Sequence, residues 1–323
     1  MFRLATNART GIDLSDHSVV LVRAEGRRGV ERFTHAGVEA LEDAPADPVG
    51  GAAAALGRLL RRLGLKKRHL GQVAASLGGP ETSCNQVDLP AMDDKELARA
   101  LPFEARRHLE LDGIDEPVVD YQVLSRDEDT GNPTPLRVVF AATSRGLRER
   151  RLAALDGAGI HPDVLDLDVL AGLNALLATQ PDLGGPGRVA AQLHLGADRA
   201  VLQVWSRDGG LYTRQVGPGA PVGRTPDDHG DYCRALVPAV VETASFFRSR
   251  FRRDIDDIRL CGPGTADGDL TRLIGEVIPR PTRVLDPFAG ADTPADLSGA
   301  TSPAVFAIAC GLCRWWDADR SRS

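Results

Sequence analysis

The sequence specifies a duplicated α/β fold carrying an inserted α+β block. Three observations lead there. A Gly-Ile-Asp strand, a tight turn and a second β-branched strand open at residue 11, and a strand-turn-strand of the same cadence opens near residue 192. A Pro/Gly-rich segment, Gln180 to Gly187, separates the two halves and reads as a linker. The stretch from 84 to 162 has a different texture and reads as a compact insert.

Taken in order, residues 11–23 give a strand, a turn at Ser15-Asp16-His17 and a second strand, and 30–39 add a third. Leu56, Leu59, Leu60 and Leu63 recur at helical spacing, with Gly64 placed to end the helix. Residues 72–78 read as a buried strand. In the insert, Gln86 to Leu89 is a short strand ending at Pro90. Asp93 and Glu96 form a capping box for a helix whose inner face is Leu97, Leu101, Ala105 and Leu109, with Pro102 expected to kink it. Two strands follow, Val118 to Leu124 and Arg137 to Ala142, around a polar loop, and then a helix over 144–156.

A strand at Val164 to Leu167 and a helix at Val169 to Ala178 return the chain to the first half. The second half begins with three strands within 188–216. A helix from Cys233 to Phe251, a strand ending in the turn Cys261-Gly262-Pro263-Gly264, a helix over 267–277 and a last helix from Ser302 to Trp316 complete it. The expected division is a first lobe of 10–83 plus 163–180, the insert 84–162, a second lobe 187–316 and a tail 317–323.

Composition narrows the function. The chain of 323 residues is long enough for about two domains. A net charge of -6 argues against a protein built to grip nucleic-acid phosphates. The Arg clusters at Arg61-Arg62, Lys66-Lys67-Arg68 and Arg248 to Arg253 read first as solvated helix faces. Neither a membrane span nor a leader is read from the sequence. Five scattered cysteines do not form a secreted disulfide framework, so a reducing, cytoplasmic setting is expected.

The paired strand-turn-strand units, with a Gly-rich turn after the late strand, follow the plan of the actin, Hsp70 and sugar-kinase superfamily, the actin-like (ribonuclease H-like) fold. At finer grain the stretches GIDLSDHSV, VDLPAMDDKELARALPFEARRHLEL and VVFAATSRGLRERRLAALDGAGIHPDVLDLDVLAGLNAL resemble the PilM family of type IV pilus assembly proteins. LDPFA and PAVFAIACGL match it too.

That resemblance implies a cytoplasmic protein held at the inner membrane by a PilN-like partner, whose N-terminal tail docks on the insert. The partner-binding residues it points to are Pro90, Leu97, Phe103, Glu104 and Tyr121. It also implies indirect contact with pilus motor ATPases, leaves room for self-association, and implies ATP with Mg²⁺ held between two phosphate turns. The cofactor-binding positions would be Asp13, Ser15, Gly196, Gly262 and Gly264.

Four departures fall on that site. Ser15 stands where the family's first turn has Gly. His194 replaces the second turn's Asp, with Asp198 nearby as a substitute. Pro263 removes an amide from the Gly-rich turn. Only Pro218 to Asp231 stands where the family has a longer subdomain. A scaffold with a weakened ATP site is the expected function, and an active actin-fold ATPase or kinase is the alternative. A type II secretion relative, the GspL family, shares the plan.

Three further features read structurally. His17 and His194 lack a third ligand for a metal. Cys310 and Cys313 have redox spacing but lie within a helix rather than at its N-terminus. Asp112, Asp115, Glu116 and Asp120 read as a solvated loop.

Overall fold

The structure is a computed structural model that describes residues 8–315 except 28–29, 42–46, 126–135, 208–209, 221–225, 266–268, 295–296 and 301. The expected tail 317–323, most of the polar loop at 125–135 and part of the shortened 218–231 segment lie outside the described residues.

The duplication expected from sequence appears as two sheets of the same topology. In lobe 1, β1 (Arg9–Leu14), β2 (Ser18–Arg27) and β3 (Val30–Ala40) form an antiparallel meander. Helix α1 (Pro48–Arg62) then leads to β4 (Gln72–Leu77), which pairs parallel with β1. Asp47 caps α1 by accepting from the Gly50 amide, and Gly64 just beyond it takes φ +64°, the left-handed turn that favours glycine.

The chain then leaves for the insert. It comprises β5 (Thr82–Leu89), α2 (Asp94–His108), β6 (Pro117–Ser125) and β7 (Leu136–Ser144), in an antiparallel sheet of order β5-β7-β6. The Asp93/Glu96 capping box is present, and α2 continues through Pro102, whose ring is on its exposed side. Val87, Leu89, Val138 and Phe140 alternate on one face of this sheet and bury Leu97 and Ala105 of α2 and Leu109 just after it. Cys84, Val139 and Ala141 on the other face pack toward the lobes.

Helix α3 (Arg145–Gly157), expected within the insert, packs on α1 of lobe 1 instead. Its Leu155 belongs to the lobe 1 core with Leu56 and Leu59, so the insert proper closes at Ser144. Strand β8 (Val164–Leu167) joins β4 in parallel, and α4 (Asp168–Thr179) follows without a break.

Lobe 2 repeats the plan. Strands β9 (Ala190–Leu195), β10 (Arg199–Ser206) and β11 (Gly210–Pro218) form the meander. Helix α5 (Pro226–Phe251), longer than the expected Cys233 start, precedes β12 (Asp257–Cys261). After α6 (Asp269–Val277), β13 (Thr282–Val284) completes the sheet. The order β11-β10-β9-β12-β13 matches β3-β2-β1-β4-β8, with the same antiparallel and parallel pairings.

The C-terminal segment returns to lobe 1. A two-residue strand, β14 (Leu297–Ser298), adds to the edge of β3. The single last helix expected from Ser302 is instead a tight turn, Pro303–Phe306, followed by α7 (Ala307–Cys313). Ser302 caps the turn, and its Ala304 carbonyl accepts from the Gly262 amide at 3.0 Å, tying the segment to lobe 2.

Helix α7 is wedged between β1 and α4 because glycines remove the side chains from both contacts. A Cβ on Gly311 would overlap the Ala171 carbonyl of α4, and one on Gly11 would overlap the Ala309 carbonyl of α7. Both backbones are rigid elements, so neither contact relaxes by a rotamer change. Gly311→Ala is expected to destabilise the protein by about 3 kcal/mol or more, the scale of severe core overpacking. Gly57→Ala on a half-buried part of α1 is the control, having only the Arg61 guanidinium near it. Parallel thermal melts of the two variants check this, and equal melting temperatures would refute the wedge.

Candidate functional site

The carboxyl ends of the parallel strands converge on the cleft between the lobes, where ligands bind in open α/β sheets. Asp13 ends the useful length of β1, Ser76 lies near the end of β4, Asp168 begins α4 directly after β8, and His194 lies near the end of β9. These residues line one cavity together with Ser15, Ser18, Gly78, Gly79, Gly196, Asp198, Arg199 and Pro263 or border it directly, and its volume is about 50 Å³. Pockets for drug-sized molecules run to several hundred Å³.

Asp13 is held by a hydrogen bond from the Ser76 hydroxyl, 2.6 Å from Oδ1, and the same Ser76 Oγ accepts from the Leu14 amide at 3.0 Å. Burial pushes the Asp13 carboxyl up to about 6, against the pull of the Ser76 bond and with the negative charges of Asp168 and Asp198 adding to the rise. Asp166, two strands over on β8, is pushed up to about 7, chiefly by burial.

Ser15 does more than crowd the first turn. Its Oγ accepts from the amides of His17 at 3.2 Å and Ser18 at 3.0 Å. Those are the donors through which a glycine-containing turn would meet a phosphate. Here the turn's own side chain satisfies them.

The second turn is closed on itself in a similar way. Gly196 donates to the Arg199 carbonyl at 3.0 Å and accepts from the Ala220 amide at 2.8 Å. His194 is kept neutral by burial, which lowers its pKa. Its Nδ1 is buried without a hydrogen-bond partner. Gly262 and Gly264 do not open onto space for a base. A Cβ on Gly262 would lie 2.6 Å from the Leu195 carbonyl oxygen, and one on Gly264 would lie 2.7 Å from Ala220 Cβ and 2.8 Å from Leu195 Cβ.

Three ion pairs bridge the cleft and its rim. The Arg199 guanidinium of β10 reaches from lobe 2 to Asp168 Oδ1 of α4 at 3.0 Å, with both side chains almost fully buried. The same Nη2 donates to Thr82 Oγ1 of the insert at 2.8 Å. His17 of the first turn meets Asp198 of the second at 3.4 Å, and Arg151 of α3 meets Asp16 at 2.9 Å. Asp198, expected to substitute for the missing acid, is therefore engaged with His17 across the cleft. No group of three metal-ligating side chains occurs among the described residues.

The five insert residues expected to bind a partner do not form one surface. Leu97 is 0% exposed and belongs to the insert core, so it is corrected from a contact residue to a packing residue. Pro90 is exposed in the turn before α2, while Tyr121 is half-buried on β6 under α2. Glu104 pairs with His108 at 3.1 Å on the flank of α2. Phe103 is 75% exposed on the side of α2 away from the sheet.

Sequence reasoning missed Arg199, Asp168, Ser76 and Thr82. A usable signal existed for the first three, since each is polar and abuts the end of an otherwise apolar strand. Thr82 carried none, because its role depends on where the insert sheet lies against lobe 2. The remaining features read structurally. Cys310 and Cys313 are buried with thiols pushed up by burial, and Cys313 Sγ accepts from the Gly11 amide at 3.2 Å and donates to the Val22 carbonyl. Arg62 and Arg58 pair with Glu39, and Arg248 pairs with Asp254. Asp112, Asp115, Glu116 and Asp120 are exposed.

The chain from residue 11 to residue 222 matches the family model described as type IV pilus assembly protein PilM. The chain belongs to that family. Its structure is similar to the PilM of a PilM-PilN type IV pilus biogenesis complex, with a TM-score of 0.75 and 22% identity over 94% of this chain and 97% of that one. At that identity the likeness establishes the shared actin-like fold. More distant is the ethanolamine utilization protein EutJ from Carboxydothermus hydrogenoformans, with a TM-score of 0.49 and 12% identity over 95% of this chain and 89% of that one. A Bacteroides thetaiotaomicron protein with an actin-like ATPase fold gives 0.49 and 11% over 90% and 96%.

Two expected outcomes follow from the cleft. Arg199→Ala leaves the Asp168 carboxylate buried without its cation and is expected to cost about 3–5 kcal/mol in urea unfolding. Arg199→Met with Asp168→Leu recovers most of that loss, and no recovery would disprove the pairing. The Asp13 carboxyl titrates near 6 in the folded protein, above its value in the unfolded chain. Between about pH 4 and 6 the native state therefore holds a proton that the unfolded chain has released, and stability falls as pH rises. Asp13→Asn removes that fall, so the variant should exceed the parent at pH 7 by up to about 3 kcal/mol and match it near pH 4. A constant difference across that range would refute the assignment.

Proposed function

We propose that this PilM-family protein acts in type IV pilus assembly as a docking scaffold rather than as a motor. It receives the N-terminal tail of a PilN-like membrane protein on the insert and is thereby held, peripherally, at the inner membrane. The observation that carries the scaffold reading is the latched cleft. Arg199 pairs with Asp168 across the lobes, the first turn's amides are taken by Ser15, and the two glycines of the late turn are packed against Leu195 and Ala220. A Mg²⁺-nucleotide would need free amides, uncommitted carboxylates and room, whereas Asp168 and Asp198 are taken by Arg199 and His17.

The docking reading draws on family membership and on the likeness to the PilM of a PilM-PilN complex. On the insert, Pro90, Glu104 and Tyr121 reach solvent and are the proposed contacts with the tail. Contact with motor ATPases would be made through that partner. The same design would serve a related secretion platform, and the identity of the tail decides between them.

Calorimetric titration tests both halves. A synthetic tail peptide from the PilN-like protein encoded beside this chain is expected to bind at one site, whereas Mg²⁺-ATP at 1 mM is expected to give no binding heat. Saturable ATP binding with steady phosphate release would replace the scaffold by an ATPase. Absence of peptide binding would remove the partner.

A further inference from the structure

Helix α2 presents an outward face that the fold does not use. Phe103, at 75% exposure, is more exposed than Leu124 at 47%, Val277 at 51% or Phe246 at 45%. At the 100° spacing of a helix, Arg99 and Arg107 lie one turn to either side of it, Arg106 lies on the adjacent row, and Lys95 lies two turns before. All four are exposed. The core row, Leu97, Leu101 and Ala105, is on the opposite side against the sheet.

Charge on this face is unbalanced. Among the described residues no ion pair engages Lys95, Arg99, Arg106 or Arg107, whereas most arginines elsewhere in this acidic chain are paired. Two of the three acids of the same helix are committed to other work. Glu96 accepts from the Asp93 amide in the capping box, and Glu104 pairs with His108 on the flank. The result is a solvent-facing aromatic ring inside four cations on a rigid helix, in a protein of net charge -6. Such a combination suits one environment well. A phosphate-rich headgroup layer takes the guanidinium groups, and the apolar region just beneath takes the ring. An acidic protein surface would match the charges but would leave the ring to be matched separately.

We infer that the outward face of α2, with Phe103 as the inserted residue and Lys95, Arg99, Arg106 and Arg107 as headgroup ligands, is a contact site for an anionic lipid surface. The contact is weak by design. Each cation near such a surface contributes about fivefold in affinity and the ring roughly tenfold, so alone it recruits only a fraction of the protein. It orients the insert relative to the bilayer. This inference does not depend on the partner reading, because lipid alone is the ligand.

Co-sedimentation of the full-length protein with sucrose-loaded vesicles tests it. At several millimolar lipid and 50 mM salt, vesicles with 40% phosphatidylglycerol are expected to pellet the protein, and pure phosphatidylcholine vesicles are not. Raising salt to 500 mM should release it. Arg99→Glu/Arg106→Glu/Arg107→Glu is expected to weaken binding more than 100-fold, and Phe103→Ser roughly tenfold, with circular dichroism confirming that both variants fold. All four residues are exposed, so folding is not at risk. Failure to pellet, equal binding to neutral vesicles, or binding unchanged in both variants would each overturn the inference. Calorimetry with the partner peptide, done without lipid, reports separately on the docking reading.

Discussion

One buried guanidinium joins the three bodies of this molecule. Arg199 stands on the second lobe, Asp168 begins the helix that closes the first, and Thr82 opens the insert. Burying a cation and an anion together is costly unless geometry and further hydrogen bonds compensate. That cost makes the arrangement specific. With Asp168 at the start of α4, the pair links the two lobes beside the narrow cavity between them.

An interlobe layer accompanies this link. Leu77 and Leu167 of lobe 1, Cys84 and Val139 of the insert, Leu173 and Leu176 of α4, and Val201 and Leu211 of lobe 2 form a single buried cluster. Burial raises the carboxyls of Asp13, in the cleft, and of Asp166, on β8.

Much of the fold was legible in the sequence because it rests on local rules. The two meanders, the Asp93 cap, the Gly64 stop and the insert strands each follow from spacing or turn chemistry. What was not legible depends on approach between distant segments. Nothing local in Pro-Ala-Val-Phe-Ala-Ile-Ala marks a tight turn before α7, because the turn is set by its bond to Gly262. Helix α3 follows the insert in sequence yet packs on α1, a choice made by Leu155 meeting Leu56 and Leu59. Leu97 illustrates the reverse error, a residue inside a family-like stretch whose helical phase already placed it in the core. At the site, Ser15 and His194 stood out as replaced residues, but Arg199 could not be read as their complement without seeing it enter the cleft.

The return of the C-terminal segment to lobe 1 bears on the order of events during synthesis. The Gly11 amide is bonded to the Cys313 sulfur, 302 residues away in the chain. Strand β1 therefore has one face uncovered until α7 has emerged from the ribosome. At about 5–20 residues per second that interval is on the order of half a minute. During it the first lobe exists as an unfinished sheet with an apolar face, exposed to chaperones and to wrong partners. A segment made late thus completes the packing of one made early.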